Sequence, residues 1–188
     1  CYYLAQLSLL GAAFLTWHVF SINMATGHET LLVFHDGFML DKLAVCLKMM
    51  IFVGGYLTFM YARSYNECFQ LPAVEYYVLC LFSILGMMVL VSSYNFLSLY
   101  LGLELMSLPL YALIALNRQE TVTLEASLKY FVTGAVASGL LLYGVSIIFG
   151  LTASINFNDV AHFAVSGQGP EWLAFVFSMV FVLAGAAF

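Results

Sequence analysis

The sequence predicts an all-α, polytopic bundle of about six membrane-spanning helices. Three observations carry that prediction. Of the 188 residues, 64% are hydrophobic and only 8% are charged. The mean hydropathy is +1.01, and the apolar residues fall in runs long enough to span a bilayer. An average soluble domain is roughly 45–50% apolar and roughly 25% charged, so this chain has too little polar surface to cover a water-soluble core.

A spanning helix needs about 20 mainly apolar residues. Six stretches qualify, near 2–23, 43–62, 76–94, 96–116, 125–150 and 172–188. They are too long, and alternate too little, for the roughly ten-residue strands of a membrane barrel. The first run carries His18 close to its outer end, an interfacial position. The second carries Lys48 near its outer end, where a long side chain snorkels to the headgroups. Only Ser92, Ser93, Tyr94 and Asn95 mark the turn between the third and fourth. The long last connection, 151–171, holds the loop formers Asn156, Asn158, Asp159, Gly167, Gly169 and Pro170. A short amphipathic helix fits around Phe157–Val165. The chain starts at Cys1 and its last run reaches Phe188 without a polar flank. Both ends read as cut, so residues 1–188 form a single membrane domain belonging to a longer protein.

Orientation follows the cations. The connection near 24–42 holds His28, Glu29, His35, Asp36, Asp41 and one Lys42, the connection near 63–75 holds Arg63, and that near 117–124 holds Arg118. The last connection has Asp159 and Glu171 but no Lys or Arg. Arginine in alternate connections places Arg63 and Arg118 on the cytoplasmic or matrix side, with the first helix running outward. Lys42 counts slightly against it.

Several function classes drop out. Lys and Arg total 5, too few for a nucleic-acid surface. Cys1, Cys46, Cys68 and Cys80 are widely spaced with no CxxC, and His28, His35 and His162 form no HxxxH or HxH pattern, so no metal, haem or iron–sulfur ligand set is read. No glycine-rich dinucleotide fingerprint follows a strand.

Chemistry concentrates in two runs. Glu104 lies about 18 Å from the inner end of the fourth, counted back from Leu116. A carboxylate at that depth is costly, so it is neutral, paired with a cation or in contact with water. Each state suits a proton carrier; a structural carboxyl bonded to a neighbouring helix is the competing reading. Pro109 cannot donate to the Leu105 carbonyl and tends to kink the helix. The freed carbonyl needs a partner, and Ser107 is near enough in sequence to supply one. Carboxylate and bend together suggest a hydrated pocket, although Pro109 alone fits simple packing equally well.

Lys129 sits about 7.5 Å into the fifth run. It fits snorkelling, a local pair with Glu125 four residues earlier, or a water-bridged link to Glu104, which lies about 10 Å deeper. Further along, Gly134 with Ser138 and Ala135 with Gly139 place small residues four apart, which permits close helix approach and says nothing specific about activity.

The wording of two segments adds a resemblance. Leu99-Tyr-Leu-Gly-Leu-Glu-Leu-Met-Ser-Leu-Pro-Leu-Tyr111, followed by Leu124-Glu-Ala-Ser-Leu-Lys-Tyr-Phe131, resembles the N-subunit family of proton-pumping NADH:quinone oxidoreductase (respiratory complex I), among the antiporter-like proteins. Its mitochondrial counterpart is subunit 2. The resemblance implies an inverted-repeat antiporter-like fold in the bacterial inner (plasma) membrane or the mitochondrial inner membrane. It implies roles in proton translocation for Glu104 and Lys129, and a further lysine around or just beyond Phe188. Beside them Pro109, Ser107 and Glu125 stand as the supporting kink, pocket hydroxyl and local pair read from the residues themselves. Other membrane-arm subunits would be its partners. Flavin and iron–sulfur clusters would sit in partner subunits, and NADH and quinone would be met only through them, leaving no cofactor on this chain. Two alternatives stay open: a subunit of a multi-subunit cation/proton antiporter, and a purely structural membrane scaffold.

Overall fold

The structure, a computed structural model, describes residues 2–25, 30–34, 37–68, 71–118, 120–167 and 169–187. Cys1, His28, Glu29, His35, Asp36 and Phe188 lie outside them. In chain order the elements are α1 (Tyr2–Ala25), β1 (Leu31–Val33), β2 (Phe38–Leu40), α2 (Lys42–Cys68), α3 (Ala73–Val91), α4 (Phe96–Ile114), α5 (Thr121–Thr152), α6 (Phe157–Ser166) and α7 (Pro170–Ala187). All but α6 among the helices are long and apolar enough to cross a membrane, giving 6 candidate spans among the described residues. The short α6 lies where the amphipathic helix was expected.

Some boundaries differ from those the hydropathy suggests, and the reason is common to them. Helices α2 and α5 continue into polar residues that hydropathy alone reads as connection. Helix α2 runs on to Cys68, so Arg63 belongs to its last turns and not to a connection. At its other end the Asp41 carboxylate accepts from the Ala44 N–H at 2.7 Å, an N-cap that starts the helix at Lys42. Helix α5 begins at Thr121, ahead of the apolar run, where the Thr123 hydroxyl donates to the carbonyls of Asn117 and Glu120. It ends on Ala153, whose φ of 52° is left-handed and whose N–H returns to the Phe149 carbonyl at 2.8 Å.

The connection between α1 and α2 holds something the sequence reading missed, a two-stranded antiparallel hairpin with Leu32 opposite Met39 and Val33 opposite Phe38. Its strands are three residues each, too short for alternation to signal them. The hairpin is sewn onto the α3–α4 turn: the Met39 N–H donates to the Ser92 carbonyl at 2.8 Å and the Tyr94 N–H to the Gly37 carbonyl at 3.1 Å. Asn95 caps α4 by accepting from the Ser98 N–H at 2.7 Å, and the Ser98 hydroxyl reaches the Gly37 carbonyl at 2.6 Å. The Phe96 N–H donates to the Ile155 carbonyl in the α5–α6 link at 3.1 Å.

Two apolar cores fill the bundle. Leu9 of α1, Phe52 and Phe59 of α2, and Tyr77 and Ile84 of α3 form one. Phe96 of α4, Leu141, Val145 and Ile148 of α5, Val160 of α6 and Phe175 of α7 form the other. Helices α3 and α4 join them, and glycine makes that junction possible. A Cβ on Gly102 would lie 2.7 Å from the Leu90 backbone nitrogen, and one on Gly86 would clash with the backbone of Met106. Large apolar side chains such as Leu4, Phe14, Tyr61, Leu128 and Leu183 point outward, as expected of helices surrounded by acyl chains.

The two arginines mark one end of the bundle. Arg118, after α4, pairs with Glu75 at the start of α3 at 2.7 Å, and Arg63 pairs with Glu67 at 3.3 Å. The Arg63 guanidinium also lies over the Tyr2 ring, 5.2 Å from its centroid. The hairpin, the α3–α4 turn and α6 occupy the opposite end.

Candidate functional site

Glu104 is the ninth of the 19 residues of α4, about 12 Å from one helix end and about 15 Å from the other. It is half-buried and lines a cavity of about 170 Å³ between α4, α5 and α7. That volume holds several waters, since each takes roughly 30 Å³ of liquid. The cavity exists because the facing helices present small residues. Gly134, Ala137 and Ser138 of α5 and Gly185 and Ala186 of α7 form one side. A Cβ on Gly185 would stand 2.6 Å from the Ala137 carbonyl, and one on Gly134 would collide with the Tyr111 hydroxyl.

The remaining lining is rich in hydroxyls: Tyr100, Ser107, Tyr111, Tyr130 and Ser138 all contribute. Tyr100 lies one turn before Glu104 on the same helix face, and both line the cavity. The Tyr111 ring meets those of Tyr130 and Phe131 edge-on, with centroids 4.9 and 5.7 Å away. Hydroxyls are donors and acceptors at once, so this lining can solvate either protonation state of a carboxyl and relay a proton to it. None of the lining residues is a cation.

The supporting residues divide. Pro109 is buried within α4, which continues through it to Ile114. The Ser107 hydroxyl donates to the Glu104 carbonyl at 3.3 Å, not to the Leu105 carbonyl that Pro109 frees. Three residues back is the reach a serine rotamer gives on a helix, and Leu105 is only two back. Ser107 nevertheless lines the Glu104 cavity. Lys129 forms an ion pair with Glu125 one turn earlier, and the two side chains are 72% and 65% exposed. The pair therefore faces away from the cavity, which its neighbour Tyr130 lines.

A cross-helix bond fixes the level of Lys129. The Ser127 hydroxyl of α5 donates to the Tyr111 carbonyl of α4 at 2.8 Å. Counting in opposite directions from that bond puts Lys129 level with Pro109, about 7.5 Å along the axis from Glu104. It also lies about 12 Å into α5, deeper than the apolar run suggests, because that helix starts earlier. The gap from Glu104 is correspondingly smaller than expected.

Sequence reading missed the tyrosines. Tyr100 had a signal in its i, i+4 spacing to Glu104, whereas Tyr111 and Tyr130 reach the cavity only through the packing of α4 on α5. Gly134 and Ser138 were read for packing alone, yet they form the cavity wall. Among the described residues no three His, Cys, Asp or Glu side chains gather as a metal site.

A family model described as NADH:quinone oxidoreductase/Mrp antiporter, transmembrane, matches residues 93–188, the half of the chain that contains this cavity. The chain belongs to that family. It is 47% identical over 187 residues to NADH-quinone oxidoreductase subunit N of Coxiella burnetii, and 44% identical to that of Thioalkalivibrio sulfidiphilus. Each match covers 100% of this chain and 38% of the relative, so the chain spans well under half the length of these proteins. The fold matches a chain of respiratory complex I from Thermus thermophilus with bound aureothin, with a TM-score of 0.71 and 27% identity over 99% of this chain and 37% of that one. A TM-score of 0.68 to the Mrp complex from Dietzia, at 19% identity over 99% of this chain and 36% of that one, shows the shared fold. Six apolar spans and bacterial subunit N relatives make this an integral protein of the bacterial inner membrane.

Proposed function

We propose that the chain is part of a membrane-arm subunit N of proton-pumping NADH:quinone oxidoreductase, and that it forms a proton half-channel in which Glu104 is the carrier. The observation that carries this reading is a mid-span carboxyl set in a hydroxyl-lined cavity. Burial of a carboxyl in general favours the acid, while water, hydroxyls and an approaching cation favour the carboxylate. Moving a cation by a few ångströms tips that balance, and the proton follows. Lys129, about one and a half turns away along the axis, is a cation of the right kind. Leaving Glu125 and swinging toward the cavity that its neighbour Tyr130 lines would bring its charge nearer Glu104. On this reading Arg63 and Arg118 mark the cytoplasmic end.

The redox steps belong to other subunits. NADH oxidation and quinone reduction, with flavin and iron–sulfur clusters, take place there, and this chain meets them only through neighbouring membrane-arm subunits. The names of the relatives favour this reading over a multi-subunit cation/proton antiporter, which shares the fold.

The test is Glu104→Gln in the complete subunit within the assembled complex, with proton uptake and NADH oxidation measured in the same vesicles. Normal assembly with proton transfer cut by about 10²-fold or more, the range of a lost acid–base group, supports the carrier. Normal assembly with normal pumping rejects it.

A further inference from the structure

At the end of the bundle opposite Arg63 and Arg118, the hairpin, α2 and α3 enclose a cleft of about 370 Å³. Its walls are largely apolar, with Phe34, Phe38, Leu85, Met88 and Val89 among them. Among the described residues two polar side chains interrupt them. Lys48 of α2 is half-buried there, and none of the ion pairs among the described residues includes it. Ser92, which caps α3, is 7% exposed, and its hydroxyl is buried without a hydrogen-bond partner.

We propose that Lys48 and Ser92 bind the phosphate of an anionic phospholipid of the leaflet opposite the arginine end, with an acyl chain lying along the cleft against Leu85 and Met88. Four features support this occupant. The first is charge. An ammonium in apolar surroundings needs a counter-charge, and the carbonyl end of α3 offsets only part of it. The second is hydrogen-bond polarity. The ammonium offers only donors and the serine hydroxyl can turn one outward, while a phosphodiester offers only acceptors.

The third is depth. Lys48 lies six residues, about 9 Å, inside the start of α2. Its side chain leans toward that end, and its length brings the ammonium to headgroup level. Ser92 sits at the same end, on the cap of α3. The fourth is continuity. Leu85 is 47% exposed and Phe82, one turn earlier, 49%, so the cleft opens directly onto the lipid-facing side of α3.

The experiment uses the complete subunit in its complex, reconstituted in bilayers that contain phosphatidylglycerol with a photoactivatable acyl chain. Phosphatidylcholine carrying the same group serves as the control. Labelling of the segment containing Leu85 and Met88 by the phosphatidylglycerol probe is the expected result. It is retained in Lys48→Arg, reduced in Ser92→Ala, and falls about tenfold in Lys48→Met, the loss of one charge-assisted hydrogen bond.

Unlabelled phosphatidylglycerol displaces the probe from the wild type, while inorganic phosphate and phosphatidylcholine do not. This arm stands even if Lys48→Met fails to assemble. Equal labelling by both lipids, or undiminished labelling in an assembled Lys48→Met, overturns the proposal. Displacement by inorganic phosphate also overturns it, by assigning the site to a free anion. A zero-length crosslink joining Lys48 to a carboxylate of a neighbouring polypeptide, with no lipid labelling, would show that protein fills the cleft.

Discussion

Tyr100 and Glu104 share one face of α4, and their roles separate by substitution. Tyr100→Phe removes a hydroxyl but leaves the ring and the cavity wall in place. On the carrier reading it slows proton transfer by less than Glu104→Gln does, and it leaves assembly unchanged; pumping in vesicles measures both. The Lys129–Glu125 pair allows a similar separation. An exposed i, i+4 pair contributes about 0.3–0.5 kcal/mol, so Lys129→Met and Glu125→Gln should both assemble normally in native gels. Lys129→Met should then impair pumping more, because only the lysine supplies the mobile cation. Equal pumping in the two variants would reduce the pair to local structure.

The glycines of the element interfaces differ in what surrounds them, and the differences predict stability. Gly86 packs against the backbone of Met106, which cannot swing aside, whereas nothing lies within 4 Å of a Cβ on Gly139. Gly86→Ala should therefore destabilise the bundle by about 1–3 kcal/mol. Gly139→Ala should be neutral or stabilising by up to about 1 kcal/mol, through helix propensity. Thermal melting in bilayer discs reads the contrast. At the end of α5, Ala153 holds a left-handed φ of 52° that favours glycine, and Ala153→Gly should raise stability by about 1 kcal/mol. These effects also mark the limit of sequence reading at this scale. A spacing such as Gly134 to Ser138 announces that a helix approaches closely. It does not say which helix, so the partner side chain, Tyr111, and the cavity beside it stayed hidden. The extra turns of α2 and α5 were hidden for a related reason: they are built from polar residues such as Arg63, Glu67 and Thr123, and hydropathy reads such residues as loop.

Across the whole molecule, the spans were legible because the bilayer makes one demand on every one of them, a run of about 20 apolar residues. The mid-span position of Glu104 was legible for the same reason, since a lone acid in such a run stands out by contrast. The small hairpin was not, because its order comes from hydrogen bonds to the distant residues Ser92, Tyr94 and Ser98. Orientation is a whole-molecule property and has its own test. In a cysteine-free background, Glu120→Cys, at the arginine end, should react with a membrane-impermeant maleimide only from the cytoplasmic side. Ala161→Cys on α6 should react only from the other. The reverse pattern would invert the half-channel.

The asymmetry between the two ends has a mechanical consequence. Backbone and side-chain hydrogen bonds rivet three separate connections around Asn95 and Ser98, while the far end is held by water-exposed ion pairs. If the spans shift during turnover, they should splay like the ribs of a fan, hinged at the riveted end. Amide deuterium uptake would then be slowest near Phe96 and fastest where Arg118 meets Glu75.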